Sequence, residues 1–384
     1  MEFEFATAGR IIFGPGTSSR LGPLAAEAGK RPLVFCGRDP DRYRRLLDGL
    51  KEAELDFTVF SVSGEPTVEL VQEAAAGARR EGRDSVVGIG GGSVLDTAKA
   101  VSALLTNEGE VVDYLEVVGK GKEISRPAAP FLAVPTTAGT GSEVTRNAVL
   151  SVPSLKVKAS LRHRLIIPAA ALVDPLLTLT LPPELTAATG MDALSQLIES
   201  FLSPRANPMT DALCWMGMRN AVKGLEAAWT DGTDQSAREA MSLAALLSGI
   251  GLANAGLGAV HGLAGPLGGM LNAPHGALCA HLLPYVLETN LDRIRKEEPT
   301  PAARERFVEL ACCLTSNPQA KAEDGITWLK DLRARFNIPS LVHYGLKEED
   351  FDQVAEKALN SSSMKGNPVE LNAGELKAIL GQAL

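Results

Sequence analysis

The segment Val86-Val87-Gly88-Ile89-Gly90-Gly91-Gly92-Ser93-Val94-Leu95-Asp96-Thr97-Ala98-Lys99 decides how this chain is read. A short apolar strand runs into a glycine turn and then a helix. Spacing places Val94, Ala98, Val101 and Leu105 on one helical face, with Asp96 and Lys99 off it. Glycines let the backbone turn tightly and leave no side chain between the chain and an approaching ligand. The Ser93 end of the helix presents unpaired N–H groups and the positive end of the helix dipole, which suits a pyrophosphate. A turn that merely joins strand to helix has the same glycines, so the surrounding chain must decide between the two.

At 384 residues the chain is too long for one small core, and two domains are expected. Hydrophobic residues make up 45% and charged residues 22%, an ordinary globular balance. The net charge of −8, without a basic run, argues against nucleic acid or anionic membrane as partner. Met1-Glu2-Phe3-Glu4-Phe5 alternates like a strand and carries acids where a secretory leader needs Lys or Arg. No stretch approaches the length of a spanning helix. The five cysteines, Cys36, Cys214, Cys279, Cys312 and Cys313, are odd in number and show no CxxC spacing. They read as free core thiols rather than a disulfide framework or a zinc ribbon, and a cytoplasmic location is expected.

Up to about residue 180, strand-like and helix-like segments alternate. Strands are expected at Pro32–Cys36, Asp56–Phe60, Phe131–Pro135 and Ala170–Pro175, and helices around Arg42–Ala53 and Val68–Glu81. Such alternation predicts a largely parallel sheet covered by helices, with ligands bound beyond the carboxyl ends of the strands. The glycine turn and the run Thr136-Thr137-Ala138-Gly139-Thr140-Gly141-Ser142-Glu143 both sit at such ends. That coincidence favours nucleotide binding over a bare turn. After Pro182-Pro183 the chain reads as successive helices, so an α/β half (1–183) precedes an all-α half (184–384), with the active site expected in the cleft between them.

In the helical half, Asp192, Gln196 and Glu199 share one face of a helix, and Leu194, Leu197, Ile198 and Phe201 share the other. Oxygen-bearing side chains at i and i+4 serve either a metal or a solvated face. His261 and His275, two of only five histidines, are each followed by glycine in apolar surroundings, 14 positions apart. That pairing points to metal ligation more than a lone histidine would.

These motifs, in this order, resemble the iron-containing (group III) alcohol dehydrogenases, relatives of glycerol dehydrogenase and dehydroquinate synthase. The resemblance runs from Ile11-Ile12-Phe13-Gly14-Pro15-Gly16 through the glycine and threonine runs, Asp174-Pro175, Asn207–Ala212 and the two histidine motifs to Asn367-Pro368. It implies a dehydroquinate synthase-like fold: a Rossmann-like, doubly wound sheet binding a nicotinamide cofactor, then a helical domain holding a divalent metal, Fe²⁺ or Zn²⁺. By the same resemblance Gly91, Gly92 and Ser93 cradle the pyrophosphate. Asp96, Thr136, Thr137 and Thr145 line the cofactor, and Lys158 reaches its ribose or phosphate. Where NAD-specific members carry an Asp, this chain has Gly37 and Arg38, which favours NADP through pairing with a 2′-phosphate; Asp39 alongside is the counter-argument.

The family's ligands, one Asp and three His, correspond to Asp192, Gln196, His261 and His275, so Gln196 stands where a His is expected. A carboxamide oxygen is a weaker ligand than an imidazole nitrogen. Gly265 also replaces a His that relatives carry near the substrate, so the proton is expected to travel through water or the cofactor ribose. Retention of Asp192 with both histidines favours a surviving metal site over a carbonyl polarised by hydrogen bonds from Gln196 and a protonated His261 or His275. The expected activity is therefore interconversion of an alcohol with its aldehyde or ketone, His261 and His275 being catalytic, in a homodimer or larger homo-oligomer. The alternatives are a metal-free reductase like maleylacetate reductase, a lyase like dehydroquinate synthase, and a nucleotide-binding relative without catalysis.

Overall fold

The computed structural model describes residues 2–155, 157–271, 273–296 and 301–384. The chain divides into two compact units: Ala6–Thr180, and Leu181–Leu384 with the N-terminal residues 2–5.

The first unit is built on six parallel strands: β1 (Ile11–Phe13), β2 (Pro32–Cys36), β3 (Thr58–Ser61), β4 (Ser85–Gly90), β5 (Phe131–Pro135) and β8 (Ala170–Val173). A separate antiparallel hairpin joins β6 (Asn147–Val152) to β7 (Val157–Arg162). The sheet order is β1-β8-β5-β4-β2-β3, with Val34 opposite Val87 and Val87 opposite Leu132. Its helices are α1 (Leu21–Ala28), α2 (Arg44–Glu52), α3 (Val68–Arg80) and α4 (Gly92–Thr106).

Side chains alternate across the sheet. Val34, Ile89 and Val134 pack with Leu24 of α1 and Leu50 of α2, while Phe35, Val86 and Phe131 pack with Val71 of α3 and Leu95 of α4. Both faces are thus covered, which is why β2, β4 and β5 read as unbroken apolar runs. The doubly wound architecture is as expected. The alternating N-terminal residues are a correction: Met1 lies outside the described residues and residues 2–5 form no strand. Alternation without a sheet edge to pair with leaves Phe3 exposed.

The glycine turn has its own physical reason. None of Gly90, Gly91 and Gly92 takes a left-handed backbone conformation. A Cβ on Gly90 would lie 2.5 Å from Val94, and one on Gly92 would lie 2.9 Å from Thr140. Close approach, not turn handedness, demands glycine there. Lys99 lies off the apolar face, yet α4 is buried almost all round and Lys99 is 0% exposed. Its ammonium donates to the Ser142 carbonyl at 2.7 Å, the Ser142 hydroxyl at 3.0 Å, the Thr145 hydroxyl at 2.9 Å and the Asn147 carbonyl at 2.8 Å. A buried cation survives only with such partners.

The second unit contains α5 (Pro183–Leu202), α6 (Pro208–Thr230), α7 (Gln235–Ala255), α8 (Ala259–Met270), α9 (His275–Lys296), α10 (Pro301–Thr315), α11 (Ala322–Arg335), α12 (Phe351–Leu359) and α13 (Ala373–Ala383). Asn207 starts α6 with a capping box: its side-chain oxygen accepts from the Met209 and Thr210 amides, and the Thr210 hydroxyl accepts from the Asn207 amide. Four glycines and Pro266 hide α8 from a propensity reading. Burial of Val260, Leu263, Ala264 and Leu267 overrides that local preference. Among the described residues no single helix is long and apolar enough to cross a membrane.

Candidate metal centre

Pro183 occupies the first turn of α5, where its missing N–H costs nothing, and the helix then runs buried for most of its length. Asp192 and Gln196 are each 3% exposed and Glu199 5%, so their common face is not a solvated one. Buried polar groups of this kind need partners, and the neighbouring helices supply them. The Gly258–Ala259 start of α8 packs onto Glu199, whose Oε1 accepts from the Val260 amide at 2.8 Å. Its Oε2 is hydrogen bonded to Nδ1 of His261. Asn367 fixes the same helix start by accepting from the Ala259 amide at 3.1 Å, and Asn290 and Asn367 bond each other reciprocally. The Asn367-Pro368 motif is thereby explained.

With Nδ1 of His261 tied to Glu199, its Nε2 faces Asp192 Oδ1 at 3.2 Å. His275, the first residue of α9, brings its Nε2 to 3.8 Å from the same oxygen. The two imidazole rings are 5.3 Å apart, centre to centre. Gly276 makes this approach feasible, because a Cβ there would stand 1.8 Å from the Ala188 carbonyl oxygen of α5. One turn further along α9, Cys279 Sγ lies 3.7 Å from Nε2 of both histidines. Asp192, His261, His275 and Cys279 each offer one donor atom, all within 4.8 Å of one another.

The electrostatics of the cluster are those of groups that share cations. Burial opposes charge on His261, but Cys279, Glu199 and Asp192 outweigh it and hold the imidazole well above its ordinary value. His275 is raised in the same way, against burial, by Cys279 and Asp192. Burial alone would push Asp192 and Cys279 up; the two histidines reverse this and lower both. A carboxylate, two imidazoles and a thiol also fit a divalent transition metal chemically. Bond lengths of about 2.0–2.3 Å require donor–donor edges of about 3.3–3.7 Å in a tetrahedron. Four of the six separations, 3.2, 3.7, 3.7 and 3.8 Å, lie close to such edges, and all six are within 4.8 Å.

The expected ligands Asp192, His261 and His275 are brought together. Gln196 lies beside them, but its amide donates to Asp192 Oδ1 at 3.4 Å while its oxygen accepts from the Ser248 hydroxyl at 3.0 Å. Cys279, expected as a core thiol, joins the cluster, and its i, i+4 relation to His275 is the available signal. Glu199 was placed on the right face without its function as the support of His261. A Cβ on Gly265 would meet nothing within 4 Å, so the missing histidine leaves open space.

In the α/β unit, α4 begins at Gly91 with no side-chain cap and no acid in its first turn, as a phosphate-binding helix start requires. Gly91 and Gly92 press against Thr137 and Thr140. Other expected cofactor contacts carry structural partners. Asp96 accepts from the Ser142 hydroxyl at 2.6 Å and the Val149 amide at 3.0 Å. Thr145 holds Lys99, Thr136 bonds the Tyr43 hydroxyl at 3.2 Å, and Lys158 pairs with Glu65. Arg38 donates to the Ser63 hydroxyl at 3.4 Å, just beyond the end of β2. A Cβ on Gly37 would meet nothing within 4 Å. Asp39 spends a carboxylate oxygen on the Asp41 amide at 3.1 Å.

Fold and cluster together define a dehydrogenase-type enzyme of the α/β-plus-helical class, and sequence comparison agrees. Residues 8–175 match the iron-containing alcohol dehydrogenase profile, and residues 186–384 match the C-terminal profile of the Fe-containing alcohol dehydrogenase family. Alcohol dehydrogenase 4 of Saccharomyces cerevisiae is 38% identical, covering 87% of this chain and 85% of the relative. The 1,3-propanediol dehydrogenase of Klebsiella pneumoniae is 35% identical over 99% of this chain and 98% of its own. The crystal structure of a 1,3-propanediol oxidoreductase superposes with a TM-score of 0.92 at 34% identity over the whole of both chains. The chain belongs to the iron-containing alcohol dehydrogenase family. It is an oxidoreductase acting on CH–OH groups.

Proposed function

We propose that this enzyme interconverts a small alcohol with its aldehyde or ketone, using a nicotinamide cofactor and a divalent metal held by Asp192, His261 and His275. The observation that carries the proposal is the convergence of two imidazole Nε2 atoms on one buried carboxylate oxygen, at 3.2 and 3.8 Å. The cofactor supplies or accepts hydride, and the metal supplies Lewis acidity toward the carbonyl. Everything else is done by the chain. Glu199 fixes the tautomer and aim of His261, an outer carboxylate–histidine support. Gln196 donates to Asp192 and steadies its carboxylate. Burial of Asp192 and His261 excludes water from one side of the cluster, while His275, with its side chain 41% exposed, marks the side open to substrate. Gly265 brings no proton donor, so the proton passes through water or the cofactor ribose.

The uncapped start of α4 with Gly91, Gly92 and Ser93 supports pyrophosphate binding there. NADP(H) is favoured over NAD(H). Arg38 offers a guanidinium beyond β2 with one long hydrogen bond to occupy it, and Asp39 is engaged by its own turn. Steady-state reduction of an aldehyde panel tests the proposal. Asp192→Ala and His275→Ala are each expected to lower kcat/KM by about a hundredfold or more, the loss of several kcal/mol of charge stabilisation. Unchanged activity in both variants would refute the metal's part in it.

A further inference from the structure

We infer that Cys279, rather than Gln196, supplies the fourth protein ligand of this metal, as a thiolate. The inference rests on the metal reading above and concerns which atoms complete the set. Its consequence is a mixed oxygen, nitrogen and sulfur site that selects Zn²⁺ or Co²⁺ over Mg²⁺ or Mn²⁺, since thiolate ligands favour the softer ions.

Glu199 is engaged at Nδ1 of His261, which turns Nε2 into the cluster. Nε2 lies 3.2 Å from Asp192 Oδ1. Nε2 of His275 approaches the same oxygen at 3.8 Å. A cation belongs where these atoms converge: protons on the imidazoles serve when no metal is bound, and a divalent metal displaces them.

Cys279 Sγ stands 3.7 Å from both Nε2 atoms, and the residue is 0% exposed. As a thiolate it closes the fourth corner of the set, on binding that releases its proton to solvent. One turn of α9 separates His275 from Cys279, so both project from the same face of the same helix. Gln196 is differently placed. Its oxygen is turned to the Ser248 hydroxyl at 3.0 Å, and its amide nitrogen faces the carboxylate. It acts as a donor to a ligand, not as a ligand.

The experiment is cobalt substitution of the full-length protein, freed of metal and then loaded with Co²⁺, followed by absorption spectroscopy and elemental analysis. Wild type is expected to bind one Co²⁺ per chain and to show a near-ultraviolet thiolate-to-cobalt charge-transfer band. Cys279→Ser is expected to lose that band, whereas Gln196→Leu is expected to keep it. One bound Co²⁺ without the band, or a band that survives Cys279→Ser, would overturn the cysteine ligand and leave the metal reading standing. Failure of wild type to bind either Co²⁺ or Zn²⁺ would overturn both. Should Cys279→Ser not fold, zinc-edge X-ray absorption on wild type decides without a variant. One sulfur neighbour at about 2.3 Å supports the inference, and a shell of nitrogen and oxygen alone at about 2.0–2.2 Å refutes it.

Discussion

Gly276 sits against Ala188 so closely that a Cβ on the glycine would stand 1.8 Å from the alanine carbonyl oxygen. This contact sets the distance between α9 and α5, and hence the distance of His275 and Cys279 from Asp192. Gly276→Ala should push the helices apart. Overpacking of a tight contact costs about 1–3 kcal/mol or more, which a lowered Tm will report. Bound metal per chain should fall as well. Retention of wild-type Tm and metal content would show that the contact relaxes harmlessly.

Glu199 is the support of His261, and its replacement by Gln tests that function with little change in volume. The amide can still accept from the Val260 amide, but it then turns an N–H toward Nδ1 of His261. Donor against donor would drive the imidazole proton to Nε2, where the metal binds. Loss of such an outer partner costs about 10–100-fold in metal affinity. Competition with a chromophoric zinc chelator measures it, and unchanged affinity would remove Glu199 from the centre.

The proposed preference for NADP(H) rests on Arg38. A hydrogen bond to a charged group contributes about 1.5–3 kcal/mol, so Arg38→Ala should lower kcat/KM for NADPH by roughly 10–100-fold. The value for NADH should hardly change. Equal losses with both cofactors would assign Arg38 a structural part instead.

Glu143 and Lys99 give the α/β unit a pH dependence that has nothing to do with catalysis. Burial raises Glu143 from 4.5 to about 7, so the folded state holds a proton that the unfolded state releases. Stability is therefore lost as pH rises through that interval and stays at the lower level above it. Burial lowers Lys99 from 10.5 to about 8, so its cost is relieved as pH rises between those values. Glu143→Gln should flatten the first dependence, of the order of 3 kcal/mol, in denaturant titrations at pH 5 and pH 7.5. A wild-type slope in the variant would exclude Glu143 as its source.

Much of this was legible in the chain because it depends on local pattern. Unbroken apolar runs at Pro32–Cys36 and Phe131–Pro135 announce strands buried on both faces, and Asn207-Pro208 announces a helix start. What depends on approach between distant segments was not legible. Nothing in the spacing of Lys99 reveals four acceptors around it, and nothing in PHG reveals that its glycine rests on Ala188. The α6 boundaries follow from caps and periodicity, whereas α8 is a helix by burial against its own sequence. Asp192, His261 and His275 were found as residue types. Cys279 and Glu199 became members of the centre only when the helices were assembled, although each stood at helical spacing from a residue already marked.

The proposed chemistry depends on a divalent metal held by the buried Asp192–His261–His275 cluster. Elemental mass spectrometry tests it most directly, on protein purified without chelator and again after anaerobic addition of Fe²⁺ or Zn²⁺. Close to one metal per chain is expected in wild type, with its loss in Asp192→Ala. Wild-type protein that retains no metal under either condition would contradict it, and the carbonyl would then have to be polarised by hydrogen bonds alone.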